Sequence, residues 1–134
     1  MDDDEDEREF SKSIVYDFFQ QADSTFQKMD ANLYVSRALL AHQLLTRLGS
    51  ESKDLAQLSA LGHFLKGSSA TLGLTKVKDS CEKIQHFGAG KDETGTHDAK
   101  SDDECLENCR RTIAQAKDEF RDAERLLRKF YHDE

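Results

Sequence analysis

From Phe10 to Met29 the apolar side chains Ile14, Val15, Phe18, Phe19, Ala22, Phe26 and Met29 return every three or four positions. That spacing puts them on one broad face of a helix of about 20 residues, roughly 30 Å long. A second stripe, Leu55, Leu58, Leu61, Leu65 and Leu72, runs up to Gly73, with Asp54 placed to cap its helix. Thr75 is placed to cap a shorter helix through Val77, Cys81 and Ile84 that stops near Gly88. A polar loop over 88–100 follows. Ser101 and Glu104 then form a capping box, the most secure helix start in the chain. Behind it Cys105, Cys109, Ile113, Ala116, Phe120, Ala123, Leu127 and Phe130 make a seam sustained over about eight turns. Amphipathic helices with short connections and no alternating runs predict an all-α, antiparallel four-helix bundle.

Residues 32–50 depart from this pattern. They contain no acidic residue, and their leucines fall on several faces, so they read as an extra helical or irregular segment ended by Gly49.

The chain has 134 residues, which is room for one core and not two. Its net charge is −8, but seven acids beside the single Arg8 crowd the first nine positions. The expected organisation is therefore an acidic, disordered leader at 1–9 and a nearly neutral domain at 10–134. Without a basic face the domain is not expected to bind nucleic acid. There is no proline to interrupt long helices. Three cysteines with no signal peptide ahead of them point to a reducing, intracellular setting. No apolar run approaches the 18 residues of a membrane span.

The chemistry is concentrated in one stretch, HFLKGSSATLGL at His63–Leu74. If the leucine stripe faces the core, His63 lies off it, toward solvent. Lys66 and Gly67, three and four residues on, share its face. An interior glycine costs a helix about 1 kcal/mol relative to alanine, so Gly67 calls for a reason. Space is one: with no side chain there, a bulky group fits beside the imidazole, and Lys66 supplies a positive charge to anions placed in it. Small Ser68 and Ser69 would let a neighbouring helix approach. An imidazole near neutral pH offers a nucleophilic ring nitrogen. The combination suits a histidine that becomes phosphorylated, a reaction that depends mainly on in-line positioning and charge neutralisation. Gln85, on the following helix, is the candidate to accept from the other ring nitrogen and hold the tautomer.

The other histidines, His42, His86, His97 and His132, lack these companions and read as surface or interface residues. Cys105 and Cys109, one turn apart, could offer thiolates to a metal with Cys81 or His132. Their place on the apolar seam makes them core residues instead. Phe10 and Phe64 lie off the core stripes and are candidates for partner contact.

The stretch HFLKGSSATLGL, followed by CEKIQ at Cys81–Gln85, resembles the signature of histidine-containing phosphotransfer (HPt) domains, in particular the fungal intermediates of multistep His–Asp phosphorelays. EFSKS at Glu9–Ser13 and the closing helix ending near Tyr131 resemble the same family. The resemblance implies a phosphocarrier of two-component signalling with no kinase or phosphatase activity of its own. It would accept a phosphoryl group from a receiver aspartate of a hybrid sensor kinase and pass it to the receiver of a response regulator. By the same resemblance His63 is the phosphorylated residue, Lys66 neutralises the phosphate, Gly67 is the spacer and Gln85 orients the imidazole. Phe10, Ile14, Asp17, Gln21, Phe64 and Ser68 form the docking surface. No cofactor is implied on this chain, and the Mg²⁺ belongs to the partner receiver. The implied setting is a monomer shared between cytoplasm and nucleus, touching neither nucleic acid nor membrane. Three departures accompany the resemblance. The family carries a short helix ahead of the acids, which would remove part of the docking surface here. It carries a basic residue near Ala89, where Lys91 is the nearest cation. It also lacks most of 32–50. These departures leave a second reading, a helical adaptor that binds receivers or other helical partners without carrying phosphate.

Overall fold

The computed structural model describes residues 2–46 and 51–131, with side-chain surroundings described over 5–34 and 55–131. Four helices follow one another: α1 (Asp2–Thr46), α2 (Glu51–Thr71), α3 (Thr75–Gly88) and α4 (Asp102–Phe130). No strand occurs among the described residues; an isolated bridge pairs Lys91 with Asp98 in the loop before α4.

Most of the stripes read from the sequence form the core, but Ile14 is exposed and Leu61, Leu72, Ala123 and Leu127 are only half-buried. Val15, Phe18, Phe19, Ala22, Phe26 and Met29 are buried on α1, Leu55, Leu58 and Leu65 on α2, and Cys105, Cys109, Ile113, Ala116 and Phe120 on α4. Phe120 is the centre of an aromatic cluster, with Phe18, Phe19 and Phe26 at ring-centroid distances of 5.8, 6.0 and 5.8 Å. Such tilted and edge-on pairs contribute beyond their buried area.

The α1–α4 seam is tied at both ends. At one, Lys117 pairs with Asp30. At the other, the Arg8 guanidinium donates to the Phe130 carbonyl at 2.6 Å and lies over the Phe130 and Tyr131 rings. The Ser11 and Tyr131 hydroxyls meet at 2.6 Å.

Several boundaries differ from the sequence expectation. Residues 2–9 are the first turns of α1, not a disordered leader. Carboxylates at a helix N-terminus complement its dipole, and Arg8 anchors the segment to the end of α4. Residues 32–46 are neither an irregular insert nor a separate helix: α1 runs on through them to a length of 45 residues, about 67 Å. Gly49 lies outside the described residues. Asp54 falls inside α2, which begins at Glu51, so it is not the cap. Thr75 does not cap α3: the capping position is Leu74, which supplies no side-chain hydrogen bond. At the end of the α4 seam Phe130 is exposed and Tyr131 takes the buried place. Half of the capping box forms as expected, with Ser101 Oγ accepting from the Glu104 amide at 3.1 Å, while the Glu104 carboxylate accepts from the Lys100 amide at 3.1 Å instead of from that of Ser101.

Helices α2 and α3 form a tight pair because two glycines sit between them. A Cβ on Gly62 would lie 2.8 Å from the Cys81 carbonyl and 2.9 Å from the Gln85 amide nitrogen; one on Gly88 would lie 2.5 Å from the Ser59 nitrogen. The Ser59 hydroxyl adds a 2.8 Å hydrogen bond to the Gln85 carbonyl. Helix α3 is thus admitted at Gly62, Gly88 and Ser59, while Ser69 is fully buried on the core side of α2.

Candidate functional site

His63 follows Gly62 on α2, so the glycine contact that draws α3 in also brings the Gln85 backbone against the residue next to the histidine. His63 is exposed, as its place off the leucine stripe requires, while Leu65 is fully buried. Lys66, one turn on, is half-buried, and its ammonium group lies 3.5 Å from the Glu82 carboxylate on α3. Gly67 is exposed, with nothing within 4 Å of where a Cβ would stand. The open volume inferred from the sequence therefore exists on the same helical face as His63 and Lys66.

Gln85 is half-buried, and its Oε1 is buried without a hydrogen-bond partner. A buried carbonyl oxygen without a donor is costly, so it is an acceptor waiting for one. No hydrogen bond joins it to the imidazole in this structure. Among the described residues, Ser69 Oγ, on the core side of α2, is the other buried side-chain oxygen that lacks a partner.

Between α1 and α2 lies a groove of about 270 Å³, lined not by His63 but by Ile14, Asp17, Phe18, Gln21, Ser68, Thr71 and Leu72. It unites four residues of the expected docking set: Ile14, Asp17, Gln21 and Ser68. Phe10 and Phe64 do not line it, yet they are 69% and 51% exposed, unusual for phenylalanine in a small domain.

These features match a known family. Residues 13–123 match the Hpt domain. The chain belongs to the Hpt domain family. Among curated Hpt-like relatives, it is 40% identical over 129 residues to multistep phosphorelay regulator 1 of Schizosaccharomyces pombe, covering 96% of this chain and 38% of the relative. It is 44% identical over 85 residues to the phosphorelay intermediate protein YPD1 of Candida albicans (63% and 37% of the two chains). To YPD1 of Saccharomyces cerevisiae it is 39% identical over 85 residues (63% and 41%). The chain therefore spans about two fifths of the length of these relatives.

The remaining candidates of this Hpt domain sort as follows. Cys81, Cys105 and Cys109 are free and buried, and no metal-holding group of His, Cys, Asp and Glu occurs among the described residues. Burial pushes the Cys81 and Cys109 thiols up to about 12, with Glu119 adding to the shift at Cys81 and Cys105 at Cys109. They are poor thiolate donors. Lys91 is engaged by Asp98. No described helix is long and apolar enough to cross a membrane. His97 is exposed, and the side chains of His42 and His132 lie outside the described residues.

Two features of the site's surroundings were not foreseen. His86 is no idle surface residue: its Nδ1 is 2.8 Å from the Glu93 carbonyl and its ring lies against Gly95, whose φ is +76°. The imidazole thereby pins the loop after α3. The only sequence signal was a histidine nine residues before a glycine, which is no signal. The Lys66–Glu82 pair also escaped notice, since it joins two helices whose relative rotation periodicity does not report.

Proposed function

We propose that this Hpt domain is the phosphohistidine intermediate of a multistep His–Asp phosphorelay. His63 takes the phosphoryl group from a receiver aspartate of a hybrid sensor kinase and yields it to the receiver of a response regulator. The observation that carries the reading is the exposed imidazole of His63 on the same helical face as Lys66 and the open volume at Gly67, in a chain of this family.

In the forward step one ring nitrogen of His63 attacks phosphorus, the P–O bond to the aspartyl oxygen breaks, and its electron pair stays on the carboxylate. The other ring nitrogen keeps its proton. Gln85 Oε1, buried and unpartnered, is the acceptor for that proton. Lys66 offsets the charge of the phosphoryl group, and Gly67 leaves room for it. The receiver docks over Phe10, Ile14 and Phe64, with Asp17, Gln21 and Ser68 as the polar rim, and brings its own Mg²⁺. The protein is a carrier with no kinase or phosphatase activity of its own, working as a diffusible monomer in cytoplasm and nucleus.

The test is label transfer from a phosphorylated receiver domain. Wild type should gain an acid-labile, alkali-stable label and His63→Gln none; labelling of His63→Gln at the wild-type level would refute the site. Lys66→Ala should slow transfer without unfolding the bundle, and an unchanged rate would remove it from the mechanism. Receiver binding with no label on wild type would favour the adaptor reading.

A further inference from the structure

We infer that Glu82 is a positioning residue that sets how tightly the phosphoryl group is held, by competing with it for Lys66. The inference rests on the proposed function and deepens it. Lys66 and Glu82 are 16 positions apart in sequence, yet their charged groups lie 3.5 Å apart across the α2–α3 junction, with side chains 31% and 42% exposed. The pairing follows from the backbone approach at Gly62, where α3 carbonyl and amide atoms come within 3 Å of an added Cβ. Glu82 stands three residues before Gln85, so both share the α3 face that meets α2.

Before transfer the Lys66 ammonium group and the Glu82 carboxylate offset each other. Transfer as written above adds a phosphoryl group with two negative charges and leaves an imidazolium. Lys66 then faces two anions, and the nearer it stays to Glu82 the less of its charge reaches the phosphoryl oxygens. Glu82 thus plays two parts. It holds a flexible lysine on the correct face before the partner arrives, and it opposes the product after transfer. A carrier must both accept and release its group, so an acceptor that bound it without opposition would stop the relay at this step. Also on α3, Lys78 pairs with the adjacent Asp79 at 3.8 Å.

The measurement is the equilibrium ratio of phosphohistidine to receiver aspartyl phosphate, using a radiolabelled hybrid-kinase receiver domain. Exposed ion pairs are worth about 0.2–1 kcal/mol, so Glu82→Gln should shift the ratio toward phosphohistidine by about 1.4- to 5-fold at low salt. The shift should shrink at high salt and be largely lost in a Lys66→Ala background. Glu82→Asp, one methylene shorter, should fall between wild type and Glu82→Gln, and it stands in should Glu82→Gln fail to fold. An unchanged ratio in both variants, or the same shift with Lys66→Ala, would overturn the inference while leaving the relay reading intact. Failure of wild type to label at all would instead overturn the relay reading.

Discussion

The same substitution, glycine to alanine, should have opposite effects at two positions five residues apart on α2. At Gly62 a methyl group would stand 2.8 Å from the Cys81 carbonyl and 2.9 Å from the Gln85 nitrogen, both backbone atoms of α3. Neither can swing aside, so α3 must move bodily. Overpacking of this kind costs about 1–3 kcal/mol, and the helix propensity gained from alanine returns about 1 kcal/mol. The expected outcome is a net loss of up to about 2 kcal/mol. At Gly67 nothing lies within 4 Å of the new methyl, so only the propensity gain remains, about 0.5–1 kcal/mol of added stability. The two variants should differ by about 2 kcal/mol. With a urea m-value of about 1.5 kcal/mol/M, that separates their unfolding midpoints by more than about 1 M, easily read by far-ultraviolet circular dichroism. Gly62→Ala should also slow label transfer, because moving α3 carries Gln85 away from His63. Equal midpoints for the two variants, or a Gly62→Ala midpoint at or above wild type, would refute the account of the α2–α3 junction.

Two further expectations can be checked on the same preparations. Ser69 Oγ is buried with no partner, so Ser69→Ala should leave the urea midpoint unchanged or raise it, by up to about 1 kcal/mol of stability; a loss above that size would show a hydrogen bond that the fold does not display. The folded Cys81 and Cys109 thiols hold their protons up to about 12, whereas unfolded thiols release theirs near 9. Deprotonation therefore favours the unfolded chain, and this contribution to stability, complete below pH 9, should fade as pH rises toward 12. A Cys81→Ala/Cys109→Ala variant should lose stability less steeply over that window, and an identical slope would contradict the burial argument.

Much of the bundle was legible in the pattern of apolar positions because each helix buries one face, and a period of three to four residues reports that face directly. The seam from Cys105 to Phe120 and the exposure of His63, Phe10 and Phe64 followed from it. Helix boundaries were less legible. The acids of 2–9 were read as repelling one another into disorder, when at a helix N-terminus they also favour the dipole. Residues 32–46 have poor amphipathicity, yet they continue α1 because no proline or glycine interrupts them. Relative rotation of helices was not legible at all. Gly62 and Gly88 are ordinary letters until α3 is laid against α2, and with them the Lys66–Glu82 pair and the position of Gln85 stay out of view.

The clasp of Arg8 and Ser11 on Phe130 and Tyr131 joins residues some 120 positions apart. Chain entropy opposes such a closure more than any other in the molecule. The α2–α3 hairpin, joined by a turn of a few residues, needs almost none. Topology thus draws the half of the site that bears the imidazole and its glutamine from neighbouring sequence, whereas the groove bounded by α1 brings together helices far apart in the chain. The histidine face and the groove are therefore built from different stretches of one small domain, and substitutions on α1 can alter the groove while leaving the α2–α3 junction at Gly62 and Gly88 as it is.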